Sequence, residues 1–290
     1  MTKRNPDYDF KWCPGCGDFG VVRAFEVALA ERVTNLGEPI ENTVVVAGIG
    51  CSGNLVHLQE GPQPFGIHGI HGRTLPIAFG IKASRPDLNV VIVAGDGDFL
   101  SIGAEHIGPQ AHRNLDVTVI VMDNGVYGLT KGQASATAAL GEVTSTTPYG
   151  KLDDPLNPLE LYLSSGVPFL VSALSTRVKD VTRYITQAME YPGFSIVHIQ
   201  SPCTTYHDTY DALKGDAKKG VEPLAYPLPE DHDPADYGAA MAHARTGRIP
   251  VGLLYRRPDS VPMQQRLAEA KQRVNAKQRS VAEMLAAARI

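Results

Sequence analysis

Polar and apolar positions along this chain come in blocks. Five runs of strand length, residues 43–47, 89–94, 117–122, 167–172 and 194–199, are dominated by Val, Ile, Leu, Phe or Ala, and each has Gly, Asn or Asp on at least one flank. Runs apolar on successive positions belong to strands covered on both faces, as in a parallel sheet. Between and before them the period changes. Val21, Val22, Phe25, Leu29 and Val33 recur at helical spacing, with Asp18 as the expected N-cap and Gly37 as the stop. Further helices are predicted over 74–85, 101–113, 159–165 and 177–190. Strands alternating with helices predict an α/β fold, a doubly wound, mostly parallel sheet with helices on both faces. Residues 1–12 read as an extended arm. Residues 125–149, rich in Gly, Ser, Thr and Ala without an apolar period, read as a long functional loop.

Beyond Cys203 the composition shifts. Residues 204–260 are rich in Asp, Pro, Tyr and His and read as an extended segment over the core or a partner, and 261–290 carry good helix formers. The expected division is an α/β domain over 1–203 and an irregular, helical C-terminal extension over 204–290.

With 290 residues, the chain has room for one large α/β core plus an appendage, but not for two full doubly wound domains and a third. A formal net charge of −4 argues against nucleic acid or an anionic membrane as the main partner. The apolar runs are too short to span a bilayer, and the N-terminus lacks the apolar core of a leader, so a cytoplasmic location is expected.

Two strand ends carry oxygen ligands. The run ending at Ala94 meets Gly95-Asp96-Gly97-Asp98, and the run ending at Met122 meets Asp123-Asn124-Gly125. Each tripeptide alone is an ordinary turn former. Together, at the carboxyl ends of neighbouring parallel strands where ligands of such sheets sit, they suit a hard cation bridging a diphosphate. Asp96, the Asn124 side chain and a carbonyl near Val126 are the expected Mg2+ ligands. At this point the sequence resembles the thiamine diphosphate enzymes, whose motif is GDG followed by Asn one helix and one strand later. Gly48-Ile49-Gly50-Cys51-Ser52-Gly53 also fits the glycine fingerprint of dinucleotide folds, but no βαβ crossover follows it, so that reading ranks low.

Cys13, Cys16, Cys51 and Cys203 are the only cysteines. Cys13 and Cys16 share a Gly/Pro turn, and the other two follow strand ends, so all four can reach the edge that carries the oxygen ligands. A four-thiolate set fits structural zinc or a [4Fe-4S] cluster; one close pair joined by two distant singles favours iron and sulfur.

A thiamine motif and four such cysteines in one chain resemble the β subunit of the 2-oxoacid:ferredoxin oxidoreductases. The resemblance runs through WCPGCGD, IGCSGN, HGIHGR, TLPIAFGIK, GDGD, MDNGVYGLTKGQ and SPC, roughly the first two hundred residues. It implies a sheet of the thiamine diphosphate-binding type and Cys13, Cys16, Cys51 and Cys203 as [4Fe-4S] ligands. It also implies Ile49, Gly50, Cys51, Ser52, His68, Gly97, Asp98, Leu129 and Thr130 as the cofactor lining. The implied reaction is oxidative decarboxylation of a 2-oxo acid to acyl-CoA and CO2, with electrons passed through the cluster to ferredoxin.

Thiamine activation needs a carboxylate that a second α/β domain provides in this superfamily, so an α subunit is expected to supply it, and the CoA site with it, rather than Glu26, Glu60 or Glu105. Lys131 is the candidate for the substrate carboxylate, with His71 and Arg73 behind it. The LTKGQ block and the stretch TPYGKLDDPLNPLELYL resemble the 2-oxoglutarate members more than the pyruvate ones. Where family patterns continue SPT after GQ, this chain reads Ala134-Ser135-Ala136-Thr137, a departure in the loop that bears on substrate choice. The alternatives are a pyruvate or broad-range enzyme, a non-redox thiamine lyase with structural zinc, and a non-enzymatic electron carrier.

Overall fold

The computed structural model describes residues 10–288 apart from 62 and 278, so most of the expected N-terminal arm lies outside the described residues. In chain order the elements are α1 (Asp18–Leu36), β1 (Thr43–Ala47), α2 (Leu55–Leu58), β2 (Phe65–His68), α3 (Thr74–Ser84), β3 (Asn89–Gly95), α4 (Ile107–Arg113) and β4 (Val117–Asp123). A small hairpin follows, β5 (Val126–Tyr127) and β6 (Gln133–Ala134). Then come α5 (Pro158–Ser164), β7 (Phe169–Leu174), α6 (Val178–Glu190), β8 (Phe194–Gln200), α7 (Tyr210–Lys214), β9 (Ala225–Pro227), α8 (Tyr237–Ala244), β10 (Ile249–Arg256), α9 (Met263–Arg273) and α10 (Val281–Ala287).

Eight strands form one sheet in the order β2-β1-β3-β4-β8-β7-β10-β9, parallel except that β10 runs against β7. Alternate residues of each central strand enter two separate cores. Val44, Ile92 and Val119 face α3, α4 and α5, while Val45, Val91 and Ile120 face α1 and α6. Burial on both faces is why these strands carry no polar alternation. The doubly wound reading therefore holds.

Three local expectations are corrected. Asp18 does not cap α1: Gly17 occupies the cap, and the Asp18 carboxyl turns inward, fully buried. The crossover predicted over 101–113 is regular only from Ile107. Before it come a π-helical turn (Gly97–Ile102) and a 3₁₀ turn (Ala104–His106), joined at Gly103, because the chain first has to return Asp98 to the β1 side of the site. The stretch 204–260 is not simply extended. β10 pairs with β7 and carries the sheet past residue 203, its alternation hidden in the sequence by Pro250 and by a bulge between Leu253 and Tyr255. Among the described residues no helix is long and apolar enough to cross a membrane.

Candidate functional site

The carboxyl ends of β1, β3 and β4 deliver their loops to one rim. A cavity of about 90 Å³ opens there, lined by Ile49, Gly50, Cys51, Ser52, His71, Asp96, Gly97, Asp98, Asn124, Val126, Leu129 and Thr130, among others. Nearly all the residues expected around a diphosphate and its cation are thus brought together. A larger cavity of about 730 Å³ between β7, α7 and β9 contains none of them.

Asp96 is buried, and both its oxygens are engaged: Oδ1 accepts the Asn124 amide at 3.3 Å and Oδ2 accepts the Thr137 hydroxyl at 3.0 Å. Burial, then the neighbouring Asp123 carboxylate, pushes the Asp96 carboxyl up to about 7. Asp123 lies on the low side of the carboxylate range, because donors led by His198 outweigh its own burial. The Asn124 Oδ1 accepts the Val126 amide at 3.0 Å, so the turn is closed by the side chain meant for the metal. His207 grips the same turn from outside: its Nδ1 stands 2.7 Å from the Asn124 carbonyl. Its ring leaves room only for glycine at Gly125, where φ is +72° and an added Cβ would fall 2.7 Å from the imidazole.

Asp98 is bound on the other side, away from Asp96 and Asn124. Its Oδ1 accepts the Ile49 and Gly72 amides at 2.9 and 2.8 Å and stands 2.5 Å from His71 Nδ1. That bond fixes the histidine orientation and leaves Nε2 as the ring nitrogen not engaged by Asp98. Tyr127, which the sequence reading missed, lines the cavity and donates its hydroxyl to the Gly97 carbonyl at 3.2 Å. A Cβ at Gly97 would sit 2.5 Å from the Tyr127 ring, so glycine is required there for packing.

Other expected residues stay outside. His68 is exposed and its Nδ1 pairs with His57 at 2.8 Å. Arg73 is tied to the Gly72 and Ile102 carbonyls and to Glu105. Lys131 is exposed beyond Thr130 with φ +77°, a left-handed backbone that a lysine adopts at a cost of about 1 kcal/mol or more. Glu26 accepts the Glu60 amide and pairs with Arg23, so none of the three glutamates lines the cavity.

The cysteines gather on the adjoining stretch of rim. A Cβ at Gly128 would lie 3.5 Å from Cys51 Sγ and 3.8 Å from Cys203 Sγ, which places those two sulfurs beside the loop that follows the Asp123-Asn124-Gly125 turn. The Cys13–Cys16 turn is locked to the Cys203 loop: the Gly17 amide donates to the Pro202 carbonyl at 3.1 Å, the Thr204 hydroxyl to the Pro14 carbonyl at 2.9 Å, and the Tyr210 hydroxyl to the Gly15 carbonyl at 3.0 Å. The Trp12 indole donates to the Cys51 carbonyl at 2.8 Å. Burial, followed by Asp18 and the neighbouring sulfurs, raises the Cys51 thiol to about 12, and Cys16 is raised further still by the same influences. Thiols so placed ionise only with positive charge between them, which is what an iron-sulfur core supplies. Among the described residues no three His, Cys, Asp or Glu side chains converge on a single ion. A four-iron cluster spaces its thiolates more widely than zinc, whose sulfurs all stand about 2.3 Å from one centre. Asp18 lies between sulfurs and cavity, accepting the Ser201 hydroxyl at 2.6 Å and the Ser52 hydroxyl at 3.3 Å, and burial raises it to about 6.

Residues 48–199 match the thiamine pyrophosphate enzyme C-terminal TPP binding domain, and residues 222–272 match the family of C-terminal regions of the pyruvate ferredoxin oxidoreductase β chain. The chain is 39% identical over 266 residues to a 2-oxoacid:ferredoxin oxidoreductase subunit β of Saccharolobus solfataricus, covering 89% of this chain and 85% of that one. It is 40% identical over 217 residues to the 2-oxoglutarate oxidoreductase subunit KorB of Mycobacterium tuberculosis, covering 74% of this chain and 56% of that one. A solved structure of 2-oxoglutarate:ferredoxin oxidoreductase from Magnetococcus marinus, with 2-oxoglutarate, coenzyme A and succinyl-CoA bound, superposes with a TM-score of 0.85 at 36% identity, covering 99% of this chain and 95% of that one. With a thiamine-binding rim flanked by gathered cysteines, and with relatives alike over most of its length, this chain belongs to the β subunits of the 2-oxoacid:ferredoxin oxidoreductases.

Proposed function

We propose that this β subunit oxidises 2-oxoglutarate in a cytoplasmic complex with an α subunit, using thiamine diphosphate, Mg2+ and a [4Fe-4S] cluster held by Cys13, Cys16, Cys51 and Cys203. The observation that carries the reading is the shared wall: Cys51 and Ser52 line the same cavity as Asp96, Asn124 and Val126. When bound, thiamine diphosphate supplies the carbanion chemistry that releases CO2, and the cluster accepts electrons singly on their way to ferredoxin.

The chain's own residues do the rest. Asp96, Asn124 and the Val126 carbonyl offer the all-oxygen set that a magnesium ion on a diphosphate prefers. His71, oriented by Asp98, presents Nε2 as the group that takes or returns a proton at the cavity. Leu129 and Thr130 continue that wall, and Lys131 follows them on the rim, where its ammonium meets the distal carboxylate of a dicarboxylic 2-oxo acid. With Glu26, Glu60 and Glu105 outside the cavity, the carboxylate beside the aminopyrimidine comes from the α subunit, which also takes CoA.

The test is reduction of an artificial electron acceptor by the complete complex with 2-oxoglutarate, pyruvate and branched 2-oxo acids compared side by side. The highest kcat/KM is expected for 2-oxoglutarate, and Lys131→Ala should raise its KM about tenfold while leaving pyruvate unchanged. A pyruvate preference in the native complex, unaffected by Lys131→Ala, would overturn the substrate assignment.

A further inference from the structure

Beneath the magnesium turn lies a buried polar chain that the function above does not use. Asp123, the last residue of β4, has its Oδ1 2.8 Å from the Thr137 hydroxyl and accepts the Gly125 amide there at 3.0 Å. Its Oδ2 is 3.0 Å from His198 Nε2 and accepts the Gln200 amide group at 3.4 Å. The Tyr162 hydroxyl stands 3.3 Å from His198 Nδ1. Because the ionised Asp123 carboxylate can only accept, Nε2 carries the proton shared with it.

Thr137 joins this chain to the metal site. Its Oγ1 lies 2.8 Å from Asp123 Oδ1 and 3.0 Å from Asp96 Oδ2, yet a hydroxyl has one proton to give. Asp123 is already served by an amide, an imidazole and a carboxamide. Asp96 has two other donors, the Asn124 amide at 3.3 Å and the Ser135 hydroxyl. The hydroxyl proton is thus spared for Asp96 as long as His198 saturates Asp123.

We propose that Asp123, His198 and Thr137 act as positioning residues for the divalent cation: His198 occupies Asp123, Thr137 is left to pin Asp96 Oδ2, and Asp96 Oδ1 stays aimed at the metal. The proposal rests on the reading of Asp96 as a magnesium ligand. Partners in this layer are worth roughly 10- to 100-fold in metal affinity at other sites. A buried His–Asp pair serving only the core would leave metal affinity alone.

The experiment is Mg2+ titration of the αβ complex in the presence of thiamine diphosphate, with cofactor retention followed by equilibrium dialysis and near-UV circular dichroism. His198→Phe and Thr137→Val should each raise the Mg2+ half-saturation concentration on the order of tenfold. The double variant should be no worse than either single one, because both break the same relay. Thr137→Ser and His198→Gln, which keep a donor in place, should stay near wild type. Wild-type half-saturation in both single variants, or effects that multiply in the double, would overturn the proposal. If His198→Phe does not assemble, the contrast of Thr137→Val with Thr137→Ser decides in the same way. Asp96→Asn separates this from the underlying reading: no change there removes Asp96 as a ligand, whereas a large change there with unaltered His198→Phe and Thr137→Val sinks the relay alone.

Discussion

Around Asp96, the protein supplies a donor to each carboxylate oxygen and holds the Asn124 turn from both sides, through Val126 inside and His207 outside. Around Cys16 and Cys51, a few residues along the same rim, it buries thiols beside the Asp18 carboxylate and beside one another, and their ionisation is driven steeply upward. The first region is hydrogen-bonded in advance, although burial beside Asp123 raises Asp96 to about 7. The second surrounds its thiols with low-dielectric burial and like charge, so a cationic group bound there would contribute to its stability as well as to its chemistry. Asp18 sits on the boundary, hydrogen-bonded to Ser52 of the cavity wall and to Ser201 of the Cys203 loop.

That contrast can be broken or sharpened by substitution. The largest effect is expected at the sulfurs. Cys51→Ser should abolish the broad visible absorbance of the anaerobically purified complex, and a brown protein of undiminished intensity would show that Cys51 is not a ligand. Next comes Asp96→Asn, which removes the proposed Mg2+ ligand. Calorimetry should show Mg2+-dependent thiamine diphosphate binding weakened by more than the roughly 100-fold attributable to an outer partner, with the visible spectrum intact.

Asp18→Asn probes the boundary through pH. Its carboxyl is raised from 3.8 to about 6, so the folded cluster-free chain holds a proton that the unfolded chain releases. Stability should therefore fall as pH rises from about 4 to about 6, with the full penalty above that window. Removing the charge should flatten this slope, leaving the part due to Asp96, and stabilise the cluster-free chain by about 3 kcal/mol near neutral pH. Urea unfolding at both ends of the window measures it, and an unchanged slope would discard Asp18 as its source. The smallest effect belongs to Gly97→Ala, whose Cβ would press the Tyr127 ring at 2.5 Å. Overpacking there should cost about 1–3 kcal/mol by thermal unfolding, with the cysteine loops untouched.

Much of this was legible in the sequence because burial on both faces writes itself as continuous apolar runs, and because Gly95, Asp96 and Asn124 stand directly at the ends of two of them. His198 was hidden for the same reason. A lone histidine inside FSIVHIQ carries no sign of its partner, since Asp123 lies 75 positions earlier on the neighbouring strand. Asp18 was misread as a cap, for its local signal was that of a helix start and its true partners, Ser52 and Ser201, are brought in by other loops. β10 went unread because proline and a bulge interrupt its pattern, while pairing with β7 compensates in space.

The chain's own order of residues therefore determined which central strands exist, which of their ends carry oxygen and sulfur donors, and how many cysteines could serve one group. Only the tertiary structure decided that Cys203 comes back beside Cys51, that Arg73 and His68 turn away from the cavity, and that Thr137 bridges two carboxylates. The physical reason is range. Hydrophobic period and turn chemistry act between near neighbours along the chain, whereas hydrogen bonds and buried charge answer to distances that exist only after the sheet has formed.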